Sequence, residues 1–281
     1  MQVERFGSFC PACINTQPLA VRLKERHQTY KQQEKNLKEI LQTYLDKTYP
    51  NSKVETPHSV FGNVHIRFEL GGDEMFKIIR NGTEIEWWKD RRRMTKVDKL
   101  NYEKYILKSV SQATSRATTL FYETFDNSET EIWILIYEYS DGLFNKPSDF
   151  LLNQFPKNIR TTFYDETEQV ETEMLTEQED GSFICDKTEA RIIVGKVKVK
   201  DIQAEQILNG IANNEMGFEP TVCQNIYFLD PTTDKGFYMY DDRGCYVWSN
   251  KAEKIKYLYD KRNSWIVNYH RPEIDKYFIQ S

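Results

Sequence analysis

Two cysteines near the amino terminus have a spacing that can support chemistry. Cys10 and Cys13 are separated by two residues, which allows two thiols to chelate zinc or to form a redox pair. A structural zinc site needs two further ligands, and Cys185, Cys223 and Cys245 are each isolated in the sequence. The pattern therefore favours two passive thiols and predicts no cofactor, with zinc at Cys10 and Cys13 as the alternative.

Charged residues of opposite sign occur together in two other short segments. Arg67 and Glu69 are two residues apart in a predicted strand, so their side chains lie on the same face. Asp241, Asp242 and Arg243 lie in a predicted turn, where adjacent carboxylates diverge and are poorly placed to share a proton or a metal. In one common cleft, these five side chains could act on a phosphorylated or nucleic-acid substrate. The alternative, a solvated sheet face beside an ordinary turn, is the one that the sequence favours.

Aromatic and basic residues alternate in a third segment. Trp87 and Trp88 are followed by Lys89 and by Arg91–Arg93, a combination that can stack on bases and contact phosphates. The run is short, however, and Asp90 interrupts it. A solvated loop is favoured over a nucleic-acid site, with Trp87 and Trp88 kept as candidate binding residues.

The sharpest charge asymmetry lies between residues 161 and 186, which contain acidic residues and no Lys or Arg. A negative face of this kind can bind a basic partner, and Glu168, Glu171 and Glu173 are the candidate contacts. The alternative is an edge strand whose charges keep it from pairing with other strands. The sequence favours the edge strand.

No catalytic motif accompanies these candidates. The sequence contains no nucleophile elbow, phosphate-binding glycine loop, zinc-protease helix or dinucleotide fingerprint. We therefore expect a non-catalytic protein that binds another protein, for instance an immunity-type inhibitor of a toxin. An enzyme that uses the Arg67, Glu69 and Asp241–Arg243 cleft is the alternative.

The hydrophobic pattern predicts the elements that carry these residues. Val64, Ile66, Phe68 and Leu70 alternate with polar residues, as in a half-buried strand. Residues 131–139 are apolar on both faces, which predicts a strand at the centre of a sheet. The other predicted elements are helices over 18–48, 98–125, 148–155 and 204–213, strands over 160–170, 182–199 and 225–229, a hairpin over 237–248 and two short helices within 251–277.

The order of these elements predicts an α+β fold, because helices and strands follow no strict β–α–β rhythm. We expect a mixed or antiparallel sheet with helices packed on one face, plus a helical N-terminal extension. The predicted domains are residues 1–50, with the CxxC segment and a polar helix, and residues 51–281, a single α+β domain. Four aromatic residues in periodic elements are predicted to build one core: Phe68, Trp133, Phe237 and Trp265.

Composition limits the class of protein. Of the 281 residues, 39% are hydrophobic and 29% are charged, with a formal net charge of −5. This hydrophobic content excludes a disordered chain, and no apolar run reaches the ~18 to 20 residues that span a bilayer. The mild negative charge disfavours general nucleic-acid binding. Because Met1–Phe9 lacks the apolar segment of a secretory signal, we expect a cytoplasmic protein with reduced thiols and no membrane partner.

Several short motifs together resemble a known family. RFELG at residues 67–71 and YDDRG at residues 240–244 are the most specific pair. Similar too are SRATTLF at 115–121, the stretch from 201 to 213, and the closing residues Leu258, Tyr259, Trp265, Ile266, Tyr269, Arg271, Ile274 and Asp275. The family is an uncharacterised domain of unknown function, common in Gram-positive bacteria. The resemblance covers residues 61–278, implies one folded unit, and carries no established activity.

Overall fold

The computed structural model of the protein describes residues 37–50, 52–55, 61–71, 76–89, 91–139, 149–177 and 183–279. For residues 139, 149, 171–177 and 183–186 it describes the backbone alone. The predicted α+β fold is confirmed, since the described residues form an antiparallel sheet with helices packed against it.

Seven strands form the main sheet. They are β1 (Val64–Glu69), β4 (Glu131–Tyr139), β5 (Tyr164–Glu177), β6 (Phe183–Lys198), β7 (Asn225–Asp230), β8 (Lys235–Asp241) and β9 (Gly244–Ser249). Their order in space is β1–β9–β8–β7–β4–β6–β5, and every neighbouring pair is antiparallel. A separate small hairpin consists of β2 (Ile79–Arg80) and β3 (Thr83–Glu84). The main sheet therefore has two edge strands, β1 and β5.

Helices flank the sheet on both sides. They are α1 (residues 37–48), α2 (Lys96–Thr124), α3 (Asp149–Leu152), α4 (Lys157–Arg160), α5 (Ala204–Met216), α6 (Lys256–Lys261) and α7 (Arg271–Phe278). Thr95 and Asp98 form a capping box at the start of α2, in which each side chain bonds to the other's backbone N–H. Of the helices in the described part of the chain, none has the length and hydropathy that a bilayer span requires.

The first face of the sheet is covered mainly by α2 and α5. Ala113 and Ala117 of α2 are fully buried, and their small side chains let the helix backbone approach the strands. One turn further along, the Phe121 ring lies 5.0 Å from the Phe228 ring and 5.7 Å from the Phe237 ring. This aromatic contact joins α2 to the middle of the sheet.

The second face is covered by α1, the predicted helical extension. Leu41 and Leu45 of α1 are fully buried in a cluster that includes Trp133 and Leu135 of β4. Ile134 belongs instead to the cluster on the first face, so β4 is apolar on both sides because both of its sides are covered.

The prediction of a single aromatic core is wrong. Phe68 and Phe237 belong to the cluster on the first face, with Trp265 packed against it, whereas Trp133 belongs to the second cluster. The reason is that successive residues of a strand point to opposite faces of the sheet. The domain boundary at residue 50 stays a prediction, since residues 1–36 lie outside the described part of the chain.

Candidate functional site

The register of β1 and β9 brings the two most specific motifs of the sequence together. Arg67 is paired with Tyr246, and Glu69 is paired with Gly244, the last residue of YDDRG. The Leu70 backbone N–H donates to the Arg243 carbonyl, 2.9 Å away, which continues the contact beyond the strand. RFELG and YDDRG are therefore neighbours in space, although they are far apart in sequence.

A bulge in β8 brings Tyr240 within reach of Arg67. Strand pairing passes from Met239–Cys245 directly to Asp241–Gly244, so Tyr240 is the extra residue. Its hydroxyl accepts a 3.0 Å hydrogen bond from Nε of Arg67. Burial raises the pKa of Tyr240 to about 12, and the adjacent guanidinium opposes that rise. Tyr240 therefore stays a neutral hydrogen-bonding group at ordinary pH.

Two more groups surround the Arg67 side chain. Its Nη1 lies 2.7 Å from Nε2 of His270, and its guanidinium carbon lies 5.0 Å and 5.5 Å from the ring centres of Tyr240 and Tyr246. Arg67 makes no ion pair with Glu69 or with any other described carboxylate. Arg67 is thus held by two aromatic rings and by His270.

Asp241 and Arg243 stabilise the turn between β8 and β9 by bonding to each other. The Asp241 carboxylate accepts hydrogen bonds from the backbone N–H and from Nε of Arg243, each 2.8 Å long. The Asp241 side chain is only 7% exposed, whereas that of Arg243 is 76% exposed. Asp241 therefore stabilises the turn, and its carboxylate is already satisfied.

Asp242 lies on the other side of the sheet from Arg67. Its charge acts on Tyr105 of α2, and Glu215 of α5 acts on it in turn, so it faces the helices of the first face. Arg67 faces Tyr240 and Tyr246, which pack against the cluster on the second face. Asp242 therefore does not share one cleft with Arg67, and the enzyme alternative stays a prediction.

The carboxyl group of Asp242 has a raised pKa because it is buried. Its side chain is almost completely enclosed, with 4% of the residue exposed. Burial first, and then repulsion by Asp241, raise the pKa of Asp242 to about 6, although Arg243 opposes the rise. A perturbed carboxyl group is a marker of functional sites, but it is also a cost to stability.

The two neighbouring tryptophans have different environments. The Trp87 ring lies 4.7 Å from the Tyr102 ring, and its Nε1 donates to the Phe76 carbonyl, 3.2 Å away. Trp87 thus packs the β2–β3 hairpin onto α2. Trp88 is 50% exposed, beside the exposed short 3-10 turn Arg91–Arg93. Only Trp88 fits the predicted exposed position.

Glu168, predicted as part of a free acidic face, has internal partners. It lies 2.5 Å from Nζ of Lys38 and also accepts a hydrogen bond from the Tyr164 hydroxyl. Glu55 lies 2.8 Å from the same ammonium group. Burial works against the charge of Lys38, but these carboxylates outweigh it and raise its pKa. The ion pair between Glu168 and Lys38 therefore links β5 to α1. Residues of these two elements line a cleft of about 450 Å³.

The remaining candidates differ in how far the structure describes them. Glu171 and Glu173 belong to β5, in the part where the backbone alone is described. Cys10 and Cys13 lie outside the described residues. Within the described residues, no group of three or more His, Cys, Asp or Glu side chains could hold a metal ion. The zinc alternative at the cysteine pair stays a prediction.

Comparison with known proteins agrees with the resemblance drawn from the motifs. The model of a family described as a domain of unknown function (DUF3885) matches residues 41–270. A relative, the uncharacterized protein YnaE of Bacillus subtilis (strain 168), is 28% identical over 78 residues, which are 26% of this chain and 37% of that protein. The chain thus matches little more than a third of this relative's length. No solved structure matches the chain.

Proposed function

We propose that this chain, which belongs to the DUF3885 family, a domain of unknown function, is a non-catalytic binding protein. It binds a basic protein along the free edge of the sheet. One observation carries the proposal. The edge strand β5 is 14 residues long and its sequence, YDETEQVETEMLTE, contains acidic residues but no Lys or Arg.

The two edges of the sheet differ in what covers them. At the β1 edge, the Val267 backbone N–H donates to the Arg67 carbonyl at 3.0 Å, and Ile266 forms a bridge with Phe68. At the β5 edge, no strand among the described residues pairs with the outer side. The outward N–H and C=O groups of β5 can therefore hydrogen-bond to a strand supplied by a partner.

The charges of β5 select the kind of strand that can be added. Arg191 binds Asp165 at 2.6 Å and Lys38 binds Glu168, so these two acids are compensated within the chain. For a basic partner, the proposal uses Glu171 and Glu173, which lie further along the strand. Acids on an edge repel the same edge of a second copy and attract a strand rich in Lys or Arg.

The biological role that fits this surface is immunity-type inhibition in the cytoplasm. A toxin that acts on nucleic acid needs a basic surface, and an acidic strand bound to that surface would block it. The formal net charge of −5 favours the same kind of partner.

A basic strand-forming peptide tests the proposal. We expect a peptide of about ten residues that alternates Lys with Val to bind the protein, measured by fluorescence anisotropy. The double variant E171Q/E173Q should weaken binding by about 3- to 10-fold, because each lost charge pair is worth about 0.5 kcal/mol. Added salt should also weaken the binding of the peptide to the unchanged protein, because salt screens the charges on both.

Two controls separate this mode from general attraction. The double variant E103Q/E131Q removes the same charge from exposed residues of α2 and β4, and it should bind like the unchanged protein. A peptide of equal charge with interspersed prolines cannot form a strand ladder and should bind more weakly. Equal losses for both double variants, or equal binding of both peptides, would contradict the proposal.

A further inference from the structure

Arg67 carries hydrogen-bond donors that the described residues leave unused. A guanidinium group has five N–H donors, and the bonds to Tyr240 and His270 use two of them. No described carboxylate lies within ion-pair distance of Arg67, so the rings of Tyr240 and Tyr246 are its main compensation. A half-buried arginine in this state gains free energy from any anion that reaches it.

Other neutral polar groups surround the same position. The Tyr246 hydroxyl makes no hydrogen bond to a described residue, and its ring lies 5.9 Å from the His65 ring. The His65 ring lies 6.2 Å from the Tyr277 ring, and burial first, and then His270, lower the pKa of His65. Arg67, His65 and Tyr246 are all half-buried, so each keeps some surface that a ligand can reach from solvent.

We propose that Arg67, Tyr246 and His65 form a binding site for a phosphate monoester. Arg67 has three N–H groups that bond to no described residue, its guanidinium lies over the Tyr246 ring, and the His65 ring lies beside that ring in turn. That arrangement suits the three terminal oxygens of a phosphate, whereas a planar carboxylate is satisfied by one bidentate pair. The rings of Tyr240, Tyr246 and Tyr277 provide an apolar wall for the group that the phosphate esterifies.

The site is independent of the proposed function. Arg67 lies on β1 and the acidic strand is β5, so the two sites are at opposite edges of the sheet. A negative binding result at one site therefore does not affect the proposal for the other site.

Titration with phosphate compounds tests the site. We expect inorganic phosphate to bind the unchanged protein, detected by NMR shifts of backbone amides in β1 and β9. Phenyl phosphate and glycerol phosphate are the two esters to compare, and the tighter one shows whether the ester group is aromatic or aliphatic. Arg67→Gln should weaken the binding of each compound by about 10-fold or more.

Matched variants keep the result interpretable. Lys276→Gln removes an exposed positive charge from α7 and should bind like the unchanged protein. Arg67→Lys keeps the charge but loses the planar fork, and Tyr246→Phe removes one hydroxyl, so each should weaken phosphate binding. Absence of binding at about 20 mM phosphate, or equal binding by Arg67→Gln and Lys276→Gln, would overturn the proposal.

Discussion

Replacing Phe121 by Ala is expected to lower the free energy of unfolding by about 3 to 5 kcal/mol. Phe121 is fully buried, and its ring touches those of Phe125, Phe228 and Phe237 at centroid distances of 5.1, 5.0 and 5.7 Å. The substitution removes an aromatic side chain from the junction of α2 and the sheet and leaves a cavity that this rigid frame fills poorly. Urea unfolding followed by circular dichroism measures the loss.

The matched control for this prediction lies on the same helix. Leu107 of α2 is 57% exposed, so Leu107→Ala should change the free energy of unfolding by less than about 1 kcal/mol. Similar losses for Phe121→Ala and Leu107→Ala would show that α2 does not present the Phe121 side to the sheet.

Replacing Asp242 by Asn is expected to stabilise the protein at pH 8 by roughly 1 to 3 kcal/mol. An aspartate in an unfolded chain has a pKa of about 3.9, whereas burial and Asp241 raise the pKa of Asp242 to about 6 in the folded protein. The carboxyl group thus contributes most to stability below pH ~4, where it is protonated in both states. That contribution is lost as the pH rises through about 6, because the buried group must then ionise.

Unfolding measured across pH distinguishes this cause from others. The advantage of Asp242→Asn should be absent near pH 4 and should grow between about pH 4 and pH 7. Asp126→Asn, at an exposed aspartate, is the control and should show no such trend. A gain of the same size at pH 4 and pH 8, or a loss at every pH, would rule out an ionisation penalty at Asp242.

Local patterns predicted most of the elements. The alternation of Val64, Ile66 and Phe68 with polar residues predicted β1, and the two-sided apolar pattern of residues 131–139 predicted the inner strand β4. The start of α2 was predicted two residues late, at Asp98. The signal for the true start is Thr95, which precedes Asp98 by three residues. The Thr95 hydroxyl caps the helix.

The contacts that define the candidate sites could not be predicted from local patterns. Arg67 is separated by 173 residues from Tyr240 and by 203 from His270, while Lys38 is separated by 130 from Glu168. The order and register of the strands, together with the packing of α1 and of the 3-10 turn Asn268–His270 on the sheet, bring these groups together. RFELG and YDDRG carry the family resemblance as a pair, but no local pattern indicates that Tyr240 bonds to Arg67, because a bulge places it there.

Basic residues on neighbouring elements compensate part of the acidic segment. Residues 161–186 contain no basic residue, so local charge alone predicts a uniformly negative face. Arg191 on the adjacent strand β6 and Lys38 on α1 neutralise Asp165 and Glu168. Asp165 and Glu168 are therefore compensated by basic residues of neighbouring elements, which the local sequence does not show.

Hydrogen–deuterium exchange with and without the lysine-rich peptide tests the central claim most directly. If a partner strand adds to the free edge, amides within Tyr164–Glu177 gain protection when the peptide is bound, while those of β1 and α2 do not change. Protection confined to α2 and α5, or binding with no new protection in β5, would contradict the claim that this edge is the binding surface.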